Sequence, residues 1–102
     1  MDTLEILDPS ATLRELAGTY IWWKSPEEAM KIPQRIAAQV MNIGDYDDGL
    51  RLIRAVGEEY LRSVLTNAEA GQFNARSWHY WHYRLHLSQP GCVPEMPVRK
   101  LA

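Results

Sequence analysis

Cysteine is nearly absent: Cys92 stands alone among 102 residues. That excludes an intrachain disulfide framework and the paired-cysteine spacing of a structural zinc site. Cys92 also lies in a Pro/Gly-rich stretch with no basic neighbour nearer than His86, so no activated thiolate is expected there. Long apolar runs are missing as well. Nothing approaches the ~18 residues that would cross a bilayer. The opening Met1-Asp2-Thr3-Leu4-Glu5 is acidic where a secretory leader needs a basic region and an apolar run. These absences predict a cytoplasmic chain. Neither sign of charge dominates, with 11 Lys+Arg against 13 Asp+Glu and a net charge of −2. The strongly basic balance of the simplest nucleic-acid binders is thereby excluded. There is no glycine-rich phosphate loop, nucleophile elbow or paired metal-binding motif, so the sequence predicts neither an enzyme nor a cofactor.

What is present describes one small globular domain. Hydrophobic residues make up 46% and charged residues 24%, ordinary values for a folded chain. At this length the core is thin. Four Trp and five Tyr stand against one Phe. Such side chains bury an apolar body while keeping a polar edge available, which suits both a small core and an interface. Charge is unevenly placed. Residues 1–30 hold two Lys/Arg against six Asp/Glu, a balance of −4, whereas residues 73–102 hold Arg76, Arg84, Arg99 and Lys100 against Glu95, a balance of +3.

The spacing predicts an all-α fold, a bundle of four to six short helices. A first stretch runs from Ala11 to Ala17 and closes at Gly18. Tyr20-Ile21-Trp22-Trp23 reads as an irregular Trp-rich segment that plugs its aromatics into the core. Ser25-Pro26-Glu27-Glu28 starts a helix, with a capping Ser, Pro at the first position and acids in the first turn. Pro33 starts or kinks the next, in which Ile32, Ile36, Val40 and Ile43 share a face and Gly44 supplies a left-handed terminus. Asp45 caps a helix with Tyr46, Leu50, Ile53 and Val56 inward, ending at Gly57. Glu58-Glu59 open another that places Leu61, Val64, Leu65 and Ala68 on one side and ends near Gly71. Asn74 or Ser77 caps a last helix reaching Leu87. Pro90, Pro94 and Pro97 then keep the end extended. The expected partition is a helical domain over 1–89 and an extended Pro-rich tail over 90–102.

The last helix carries the densest chemistry. At ~100° per residue, Trp78, Trp81 and Leu85 fall within about 60° of one another and form a core seam, and Trp22 or Trp23 is expected to pack on it. Arg76, Tyr80, Tyr83 and Arg84 fall on the opposite side within about 100°. Two guanidiniums and two phenols can hold phosphate and stack bases, form a protein hot spot, or be an ordinary exposed face. His79, His82 and His86 share a flank by spacing. With Cys92 they are candidate metal ligands, although metal sites usually draw on two elements, and a solvated polar flank is the simpler reading. Asp45, Asp47 and Asp48 read as a cap and first-turn acids. The tight join at Gly57 has the size of a helix-turn-helix corner, but Glu58-Glu59 after it would meet phosphate badly.

Gly44, Asp48, Leu52, Gly57, Leu61 and Val64, followed by Phe73-x-x-Arg76-Ser77-x-x-Tyr80-Trp81, resemble the pattern of a family of small uncharacterised bacterial helical proteins. The likeness covers about residues 20–83 and rests on helix caps and core aromatics. Members of that family are often neighbours of an abortive-infection-type nucleotidyltransferase toxin. The resemblance implies a non-enzymatic, antitoxin-like or accessory protein that binds such a toxin. It carries no catalytic residues across, and the acidic start and the His-rich, Pro-rich end lie outside the shared pattern. Two alternatives remain from the residues: a helix-turn-helix-like DNA-binding regulator, and a metal-binding protein using the histidine face.

Overall fold

A computed structural model describes residues 9–98. They form six helices: α1 Pro9–Tyr20, α2 Pro26–Ala29, α3 Pro33–Ile43, α4 Tyr46–Val56, α5 Glu58–Thr66 and α6 Ala75–Arg84. No strand occurs among them. No helix among the described residues is long and apolar enough to cross a membrane. The acidic residues Asp2, Glu5 and Asp8, and the cations Arg99 and Lys100, lie outside the described residues.

The centre of the molecule is α3, which packs on all five other helices. It can do so because its buried residues are Ile36, Ala37, Ala38, Val40 and Met41, and the two alanines let neighbouring backbones approach. Ile43, expected on the same buried face, is instead exposed. Gly44 closes α3 through Gly44 N–H to the Val40 carbonyl at 2.7 Å. The expected left-handed conformation is not used, for Gly44 has φ −70° and ψ 155°. Close approach is what demands glycine there: an added Cβ would lie 2.4 Å from the Val40 carbonyl oxygen.

Caps set the other helix starts. Ser25 Oγ accepts from the Glu28 N–H at 3.2 Å, Asp45 from the Asp48 N–H at 2.8 Å, and Asn74 from the Ser77 N–H at 2.8 Å. Each satisfies one of the first-turn donors that a helix leaves open. Gly57, at φ 84° and ψ 156°, ends α4 and begins α5 by itself. The join from α3 to α6 is made by Asn42. Its side chain accepts from the Asn74 N–H at 2.9 Å, and its carbonyl accepts from Ser77 Oγ at 2.7 Å.

Several expectations about helix ends and aromatics are corrected. α1 passes through Gly18 to Tyr20, because Leu16, Ala17 and Ile21 bury one continuous stripe. α5 stops at Thr66, well short of Gly71. α6 stops at Arg84 and not at Leu87; Arg62 Nε donates to the Leu85 carbonyl at 2.8 Å, and His86 follows at φ 59°. Trp78, Trp81 and Leu85 are buried together. Trp22 and Trp23 do not join them, being 74% and 55% exposed. The core beneath is already filled by Leu13, Leu16, Ile36, Leu52, Leu61 and Leu65. Residues 88–98 hold neither helix nor strand. They return to α6, where the Pro94 carbonyl accepts from Trp78 Nε1 at 2.7 Å and Val93 and Met96 pack on the core.

Candidate partner-binding site

A groove of about 490 Å³ runs between α6 and the α3–α4 corner. Arg76, Tyr80 and Arg84, one helical turn apart on α6, form one wall. Tyr46, Leu50 and Ile53 of α4 line it from the other side. α6 is fixed in place by Trp81, whose Nε1 donates to the Met41 carbonyl at 2.7 Å. That carbonyl belongs to the last turn of α3, where the helix leaves its own acceptors unpaired. The Trp81 ring lies on α4 at Gly49, where an added Cβ would stand 3.7 Å from Cζ2, an ordinary contact. Tyr80 meets Trp81 edge-on, with ring centroids 5.3 Å apart.

The groove joins exposed aromatic surface to cationic groups. Tyr46 is 72% exposed and Tyr80 47%. Arg84 Nη1 contacts Glu58 at 3.3 Å, and Glu58 in turn contacts Arg62 at 3.2 Å, so Arg84 is held in a chain of ion pairs. Arg76 is exposed and makes no ion pair or hydrogen bond with another of the described residues. The structure thus brings together three of the four α6 residues that the spacing singled out. Tyr83 stands aside from the groove, edge-on to His79 with centroids 6.3 Å apart. The opposite wall escaped sequence reading. Tyr46, Leu50 and Ile53 do form the stripe that helical spacing predicts, but Tyr46 faces the groove and solvent where it was expected inward.

The histidine flank does not assemble as expected. His79 is exposed, with Nδ1 2.8 Å from the Ala75 carbonyl. His82 is buried against Trp78, with ring centroids 4.3 Å apart and Nδ1 2.8 Å from the Trp78 carbonyl. His86 lies beyond the end of the helix, so the spacing of four no longer places it on the same face. Among the described residues no three His, Cys, Asp or Glu side chains converge as metal ligands would. Cys92 is exposed. Of the acids at the start of α4, Asp48 accepts from Tyr20 Oη at 2.6 Å and pairs with Arg51 at 3.2 Å. Burial, and then this bond to Asp48, raise the Tyr20 phenol above its ordinary value of 10.0.

The chain matches no family model, no curated protein and no solved structure. Its function is therefore read from the groove and from the chemistry of the residues lining it.

Proposed function

We propose that this chain is a non-enzymatic, antitoxin-like or accessory protein that uses the α4–α6 groove to bind a partner protein. The partner suggested by the family resemblance is a cognate nucleotidyltransferase toxin. The observation carrying the reading is the union of Arg76, Tyr80 and Tyr46 around one preformed concave surface. Tyr and Arg are the residue types most concentrated where binding energy is concentrated, and Tyr orders at little entropic cost because it has few rotatable bonds. DNA is the weaker candidate for partner. In a helix-turn-helix arrangement α5 would enter the groove of the duplex, yet its first turn carries Glu58 and Glu59, and the Glu59 side chain is 91% exposed. Two carboxylates there would face phosphate.

The test is titration calorimetry against a nucleotidyltransferase encoded beside this chain, with an Arg76→Ala/Tyr80→Ala variant as the comparison. Both side chains are exposed, so the variant should keep its circular dichroism and melting temperature. It should lose about 2 kcal/mol or more of affinity. The loss should depend only modestly on salt. A steep linear fall of log affinity with log salt would indicate phosphate contacts and favour nucleic acid. Unchanged affinity in the double variant would remove this groove as the site.

A further inference from the structure

Two clefts lie away from the α4–α6 groove, share no lining residue with it, and nearly meet. One, of about 530 Å³, opens between the α1–α2 turn, α3 and the loop after α5. The other, of about 620 Å³, opens between α3, α5 and the same loop. Ile32, Arg35, Glu69 and Gln72 line both, so these four residues form the partition between them. Ile32 and Arg35 come from the start of α3, and Glu69 and Gln72 from the loop.

The loop half of the partition is bonded to itself. Glu69 N–H donates to Gln72 Oε1 at 2.8 Å, Gln72 Nε2 donates to Glu69 Oε1 at 2.9 Å, and Gln72 N–H donates to the Glu69 carbonyl at 3.2 Å. Residues 69–72 therefore make a closed turn, with Gly71 inside it at φ 85°. Both ends of the turn are fastened, since Phe73 is buried in the core and Ala68 packs against it. Between those ends no residue belongs to the core. Among the described residues, hydrogen bonds and ion pairs tie the turn to another element at Arg35 alone. Arg35 Nε donates to Glu69 Oε1 and Nη2 to Oε2, both at 3.1 Å, the two-pronged geometry that gives a guanidinium its directional hold on a carboxylate. Lys31 lines the second cleft but pairs with Glu28 at 3.4 Å, which leaves Arg35 as the cation holding Glu69. The two paired side chains are 47% and 53% exposed. Pairs so exposed contribute little, and a segment held by few buried contacts opens before the rest of a fold does.

We infer that residues 69–72 are a flap latched to α3 by the Arg35–Glu69 pair, and that releasing the latch joins the two clefts into one trough along α3. That trough runs from Trp23 in the first cleft to Tyr60 in the second. Nitrogen-15 relaxation dispersion reads such opening on the microsecond-to-millisecond scale. The amides of 69–72 and the Arg35 Nε–H should share one exchange process that the backbone amides of α3 and α5 lack. Arg35→Gln should raise the open population about 1.5- to 5-fold and leave circular dichroism unchanged, because the side chain is exposed. Glu69→Gln should do the same. Arg35→Glu/Glu69→Arg restores a pair of reversed polarity and should return the population toward that of the wild type. Salt at about 1 M screens an exposed pair, so it should open the wild-type flap and leave Arg35→Gln where it was. A turn that shows no exchange in the wild type and none in Arg35→Gln overturns the inference. So does exchange at 69–72 that ignores Arg35→Gln, Glu69→Gln and salt. Exchange that spreads in Arg35→Gln through Phe73 into α5 would be local unfolding in place of a hinged flap, and overturns it equally.

Discussion

Trp81 sits where α6 meets the end of α3, and it serves both packing and hydrogen bonding. The ring is 5% exposed and its N–H occupies the Met41 carbonyl. Trp81→Ala should cost about 3–5 kcal/mol, a large share of the 5–15 kcal/mol typical of a folded domain. Trp81→Phe separates the two roles. It keeps most of the apolar contact and leaves the carbonyl unpaired, so a loss of about 1–3 kcal/mol in urea melts is expected. Two phenols give the residue scale a pH dependence. Burial raises Tyr60, and burial followed by the Asp48 bond raises Tyr20, above 10.0. The folded chain therefore holds these protons more tightly than the unfolded chain does. Their contribution is complete below the unfolded value and is lost as pH rises through the folded one. Melting temperature should fall above about pH 10. A Tyr20→Phe/Tyr60→Phe variant should lose less between pH 9 and 11 than the wild type, about pH 10 being where free phenols ionise.

At the scale of elements, the α4–α5 corner depends on one residue. Gly57 holds φ 84° and ψ 156°, a region that is essentially glycine's alone. Nothing lies within 4 Å of an added Cβ, so Gly57→Ala tests backbone conformation without a steric clash. A cost of about 1–3 kcal/mol is expected, measurable by denaturant unfolding. This corner was legible in the sequence, as were the caps at Ser25 and Asp45, because each signal acts within three or four residues; for the last helix the sequence offered Asn74 or Ser77, and Asn74 is the one that caps it. The end of α6 was not legible. Arg62, which takes the Leu85 carbonyl, lies 23 residues away in sequence, and no local pattern announces it. The Trp22-Trp23 run misled for a related reason. Apolar size predicts burial only while the core has room, and the leucines of α1, α4 and α5 had filled it. One wall of the candidate site, Arg76, Tyr80 and Arg84, could be read from α6 alone. The other required knowing that α4 lies alongside, so Tyr46 was placed inside when it faces out.

At the scale of the whole molecule, two grooves with no lining residue in common open on the structure, one between α6 and the α3–α4 corner and one beside the α1–α2 turn. Residues 88–98 belong to the same architecture, since their Pro94 carbonyl completes the bonding of Trp78. The placement of the four indoles has a further, optical consequence. Trp22 and Trp23 lie in water, whereas Trp78 and Trp81 lie in the core. Their fluorescence should divide into a long-wavelength part that acrylamide quenches readily and a shorter-wavelength part that it reaches slowly. Trp81 borders the α4–α6 groove and Trp23 the other. Occupation of either groove should thus perturb a different part of one emission spectrum, and the protein carries a built-in reporter for each face with no dye attached.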